Sequence, residues 1–174
     1  MQIKIGEKMK TIITGLLALL IFVGCSSNAT TEQKIEPKLI VENSLADLKL
    51  NDQNGNLQGI DAETKKVVFA FSKDNGHTCN DFFATKDASY LKDNNAQFVA
   101  DVSGAPSMIR SMFIMPGLKD FNHPILVIDN KMLSASYKTE ENSEKLVVVL
   151  LENQRITEIK YLSSIEELQT ELEK

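Results

Sequence analysis

The chain has 174 residues, a net charge of −5, 43% hydrophobic residues, two cysteines and no tryptophan. That length and composition allow one modest domain plus extensions. No basic run interrupts the acidic sequence, so nucleic acid and anionic headgroups are poor partners for its general surface.

At the amino end, Met9-Lys10-Thr11 precede the apolar run Ile12–Gly24, which ends directly before Cys25 and the polar Ser26-Ser27-Asn28. The run is shorter than the roughly twenty apolar residues a bilayer crossing needs. It suits the apolar region of a secretory signal, with Met9 as the expected start. Lysines in front and Gly24-Cys25 at the end resemble a bacterial lipoprotein signal, although Phe22 stands where that family usually carries leucine. The resemblance implies a signal peptide over 1–24, lipidation of Cys25, and a partner in the membrane itself through that lipid. It implies a cell-envelope location, and in a cell with two membranes Ser26 favours the outer one, facing the periplasm. Residues 25–44 are expected to be a polar tether, since Ser26–Lys38 holds too little apolar surface to order itself. With Cys25 lipidated, Cys79 has no partner for an internal disulfide.

A folded domain is expected over 45–174. Leu45–Leu50 alternates apolar and polar, and Asn54-Gly55 marks a hairpin returning along Leu57–Ile60. Val67–Phe71 is a continuous apolar run of the kind buried on both faces of a sheet. Lys73–Gly76 is expected to be a loop, and Thr78 the cap of a helix carrying Phe82, Phe83 and Leu91. Gln97–Val102 is the next buried strand. Pro106 opens a second helix, on which Met108, Ile109, Met112 and Phe113 form an apolar face, and Pro116-Gly117 stops it. Pro124–Ile128 is a third buried strand, and Met132–Tyr137 an extended connection. Lys145–Leu151 and Ile156–Leu162 form a hairpin. Ser164 and Glu167, at capping-box spacing, open a last helix with Ile165, Leu168 and Leu172 inward.

This order of elements predicts an α/β architecture, a mixed sheet sandwiched by helices. With its leading β-hairpin it resembles the thioredoxin-like fold, in the membrane-tethered thiol-reductase and peroxiredoxin-like branch. Lys66–Phe71 matches the strand before the redox centre, Pro124–Asp129 an inserted strand and turn, and Lys145–Leu172 the final hairpin and helix. Two departures bear on activity. The family's C-x-x-C is replaced by Cys79-Asn80-Asp81-Phe82, and its cis-proline before the hairpin by Glu140–Glu144. Exchange between dithiol and disulfide needs a second thiol to resolve the mixed disulfide.

Cys79 is the candidate catalytic residue. At the first position of a helix capped by Thr78, it would have its thiolate favoured by free N–H groups and the helix dipole. Alternatively it is a small buried hydrophobe. His77 and His123, the only histidines, stand at no metal-ligand spacing, and a His77–Cys79–His123 copper site is the one arrangement they could offer. No cofactor or metal is expected. The resulting expectation is an anchored interaction module for an envelope protein or small ligand, with a single-cysteine thiol peroxidase or oxidoreductase using Cys79 as the alternative.

Overall fold

The computed structural model describes residues 35–174. The signal run, Cys25 and the first part of the expected tether lie outside the described residues. Among those described, no helix is long and apolar enough to cross a membrane.

Seven strands form one mixed sheet in the order β2-β1-β5-β4-β3-β6-β7. The leading hairpin is β1 (Lys49–Asp52) and β2 (Leu57–Gly59). Its turn is fixed by Gly55 at φ 87° and by Asp52 Oδ1, which accepts from the backbone N–H of Asn54 (2.8 Å) and Asn56 (2.9 Å). The strands β3 (Lys66–Ala70), β4 (Ala96–Asp101) and β5 (Leu126–Ile128) run parallel to one another. Their continuous apolar sequences are buried on both faces, as parallel strands covered by helices require. Antiparallel β6 (Leu146–Glu152) and β7 (Arg155–Leu162) complete the other side. Asn153 and Gln154 turn between them with positive φ, the backbone that suits the twist of a two-residue hairpin.

Side chains alternate across β3 into two cores. Val67 and Phe69 join Leu45, Val149 and Tyr137 on one face. Val68 and Ala70 join Phe83, Phe98, Leu168 and Leu172 on the other. The second face carries α1 (Lys73–Ala84), α2 (Tyr90–Asp93) and α6 (Ile165–Leu172), while α5 (Lys131–Tyr137) supplies Tyr137 to the first. The α6 cap forms at the expected place: Ser164 Oγ accepts from Glu167 N–H (3.2 Å), and Glu167 Oε2 from Ser163 N–H (2.7 Å).

Several expectations are corrected. The first helix begins at Lys73, capped by Ser72, whose Oγ accepts from Asn75 N–H. Thr78 is interior to it, its hydroxyl donating to Asp74 O (2.9 Å). Met132–Tyr137 is helical, because Asn130 Oδ1 caps it by accepting from Met132 and Leu133 N–H. Pro116 does not end its helix. Ser107–Ile109 (α3) passes through a π-helical turn, Arg110–Ile114, into α4 (Met115–Leu118) with Pro116 in its first turn. The wider turn absorbs the hydrogen bond a proline cannot make. The ordered chain also starts before Leu45: Lys38 N–H donates to Ser136 O (2.6 Å), Glu42 N–H to Ile156 O (2.8 Å), and Leu39 packs on the core. Lys38–Ser44, assigned from sequence to the tether, is therefore fastened to the fold.

Leu168 is fully buried and Leu57 exposed. Leu168→Ala is expected to cost about 2–5 kcal/mol in urea unfolding, and Leu57→Ala to stay within about 0.5 kcal/mol.

Candidate functional site

The carboxyl ends of β3 and β4 open into a cleft of about 1020 Å3. In open α/β sheets this edge is where ligands bind, because chain connections diverge there and leave a crevice. One wall is the start of α1, with Ser72, Lys73, Gly76 and His77. The opposite wall is the helix through the π turn, with Phe113, Ile114, Gly117 and Leu118, continued by Phe121. Lys131, Ser134 and Ala135 of α5, the following Lys138 and Glu144 close a third side.

Most polar groups lining the cleft are already paired with one another. Asp101, at the end of β4, accepts from Ser134 Oγ (2.6 Å) and from Ser103 N–H (2.9 Å), tying α5 to the loop after β4. Lys138 Nζ donates to Phe71 O (2.8 Å). Arg110 in the π turn donates to the carbonyls of Ser103 and Ala105. Asn80 Oδ1 lies 3.0 Å from His123 Nε2. What stays free is largely hydrocarbon, together with the Lys73 and Lys131 ammoniums, the His77 ring, the Ser103 hydroxyl, the Asn80 amide nitrogen and the Glu144 carboxylate.

The apolar face foreseen on the second helix exists but does not face the core. Met108, Met112 and Phe113 are 68%, 60% and 65% exposed. Met132, beside Lys131 on α5, is exposed as well. The helix packs through Ile114, Met115 and Leu118 instead. The π turn, Arg110–Ile114, holds Met112 and Phe113 on the exposed side and Ile114 on the packed side.

Cys79 lies at 0% exposure in the middle of α1, within the core of that face. It is not at the helix start, so the free N–H groups invoked from sequence are a turn or more away. Burial pushes its thiol up to about 12, which keeps it protonated at neutral pH. Cys79 does not line the cleft; its neighbours Gly76, His77 and Asn80 do.

His77 and His123 are not brought together with Cys79 as a ligand set, and among the described residues no cluster of histidine, cysteine and carboxylates has metal-binding geometry. His123, 3% exposed, packs edge-on or tilted against Phe83, Phe98 and Phe121. Its carbonyl accepts from Gln53 Nε2 (2.8 Å), while Gln53 Oε1 accepts from Ile125 N–H (2.9 Å). This buried clamp around Pro124 was not legible in sequence, where Gln53 stands in a polar turn. The only available signal was a histidine set directly before an apolar strand.

No family model and no curated protein matches the chain. Among solved structures it is similar to a candidate protein disulfide isomerase from Bacteroides thetaiotaomicron, at 14% identity and TM-score 0.50, covering 77% of this chain and 86% of that one. A peroxiredoxin-like protein from Aquifex aeolicus aligns at 9% identity and TM-score 0.48 over 80% and 89% of the two chains. A thio-disulfide isomerase from Thermus thermophilus aligns at 11% and 0.48 over 76% and 94%. The fold is thioredoxin-like, a mixed sheet flanked by helices. At these identities the likeness concerns the fold alone.

Burial lowers the His123 pKa from 6.5 to about 4. The unfolded chain therefore binds a proton that the folded chain refuses between those values, so stability falls as pH drops from about 6.5 toward 4. In His123→Phe, urea unfolding is expected to show a smaller loss over that window than in the wild type.

Proposed function

We propose that this is a lipid-anchored envelope protein whose thioredoxin-like domain binds a ligand in the cleft at the strand ends and does not exchange disulfides. The observation that carries this is the cleft itself. It occupies the edge of the sheet where ligands of α/β folds bind, is lined mainly by hydrocarbon, and has no cysteine among its lining residues. Met108, Met112 and Phe113 are exposed on the helix that forms one wall, and Phe113 itself lines the cleft. The anchoring half of the proposal is supported by the sequence alone, through Gly24-Cys25 after a short apolar run. Two or more acyl chains on Cys25 would hold the domain stably at a membrane, where one is marginal.

The thioredoxin-like fold favours a second reading, thiol chemistry at Cys79, because similar structures include proteins described as disulfide isomerases and peroxiredoxin-like. Its difficulty is physical. A peroxidase or oxidoreductase needs an accessible thiolate, and this sulfur is enclosed and protonated at neutral pH.

Insulin reduction and peroxide consumption by the wild type are expected to match those of Cys79→Ala and remain at the blank rate. Turnover that disappears in Cys79→Ala would establish the second reading instead. Separately, mass spectrometry of the mature protein is expected to find Cys25 as an acylated first residue; an unmodified Cys25 or cleavage elsewhere removes the anchor.

A further inference from the structure

We infer that the ligand of the cleft is a single-chain anionic amphiphile, a long-chain fatty carboxylate. The inference rests on the binding reading above and names the ligand class for that site.

Two properties of the cleft select this chemistry. The first is hydrogen-bonding capacity. A peptide laid along the cleft would bring an N–H and a C=O with every residue, and each needs a partner once out of water. The Asp101 carboxylate, the Ser134 hydroxyl, the Ser103 backbone, Asn80 Oδ1 and the Phe71 carbonyl are engaged with one another, with Lys138, with Arg110 and with His123. The Ser103 hydroxyl, the Asn80 amide nitrogen and His77 are too few to serve the successive N–H and C=O groups of a peptide. Both sheet edges, β2 and β7, lie at the ends of the strand order, away from β3 and β4, so strand addition offers no substitute. An alkyl chain asks for no such partners. It needs only hydrocarbon walls, which Phe113, Ile114, Leu118, Phe121 and Ala135 provide.

The second property is charge. The chain is acidic overall, yet Lys73, Lys131 and Lys138 all line this cleft. None of the three forms an ion pair among the described residues. Two carboxylates line the same cleft, Glu144 and Asp101, the latter hydrogen-bonded to Ser134 and Ser103, so the lining carries three cations against two anions. Lys73 and Lys131 are exposed and extend from two different walls. A carboxylate between them would find its counter-charge while its tail lies against the helix that carries the π turn.

The test is native mass spectrometry of the full-length chain with oleate and with uncharged methyl oleate. One oleate per chain is expected, with methyl oleate bound roughly tenfold more weakly, the scale of two exposed charge pairs. Lys73→Glu combined with Lys131→Glu should erase that preference. Phe113→Ser and Ala135→Asp, at exposed positions on opposite walls, should weaken both probes while leaving the circular dichroism spectrum unchanged. Equal binding of the two probes, unaffected by the lysine changes, would overturn the anionic head group yet leave an apolar cleft ligand standing. Oleate binding untouched by both wall variants would place it elsewhere and overturn the assignment. So would no oleate binding at all, or a second copy of the chain that pairs over the cleft and excludes oleate. Failure of the binding reading itself shows separately, as Cys79-dependent turnover.

Discussion

Strand β3 is buried on both faces, and the rest of the molecule is arranged to keep it so. Val67, Val68 and Phe69 have no exposed surface. A strand in that position needs a neighbour on each edge and a layer on each face. β4 and β6 supply the edges in registers spanning all five residues, Lys66–Ala70. The faces are supplied by α1 and α6 on one side and by α5 with the residues before β1 on the other. At the carboxyl end of β3 the chain must leave the sheet toward one face while α5 approaches from the other. Phe71 turns its ring into one core and gives its carbonyl to Lys138, and Ser72 at once caps α1. The cleft is the space this divergence leaves.

The strands were legible because burial on two faces writes itself as an unbroken apolar run, and Val67–Phe71, Phe98–Ala100 and Leu146–Leu151 are such runs. Helix boundaries were less so. Lys73–Thr78 is polar, and a polar first turn resembles a loop when only periodicity is weighed. The informative residue was Ser72, immediately after an apolar strand and ahead of Asp74. The helix at Lys131–Tyr137 spans barely two turns, too few for a period to emerge, so its only mark was Asn130 as a cap. The stripe Met108–Phe113 had helical spacing, but spacing states which residues share a face and not where that face points. In the structure Met108, Met112 and Phe113 point outward and Ile114 and Leu118 inward, a direction that spacing alone does not carry.

The candidate site was almost illegible for a different reason. Its walls come from segments that span Ala70 to Glu144, and no two of them carry a joint motif. Sequence drew attention to Cys79 because a lone sulfur is conspicuous, whereas a hydrocarbon surface built from Ala105, Phe113, Leu118, Phe121 and Ala135 is not. The lysines were equally hidden, since three cations scattered among 19 Lys and Arg residues form no run.

Enclosure of Cys79 and accessibility of the cleft are two results of one choice of helix start. A helix capped at Ser72 sets the sulfur seven residues in, on the side facing Val68 and Phe83, and turns Lys73, Gly76 and His77 toward solvent at the strand ends. Had the cap formed at Thr78, the thiol would have met the exposed N–H groups of the first turn, which stabilise a thiolate. Moving the helix start earlier by six residues takes the thiol from the helix end into the core, where desolvation opposes ionisation. The same shift leaves the strand ends lined by hydrocarbon and charged side chains, with the sulfur enclosed behind them.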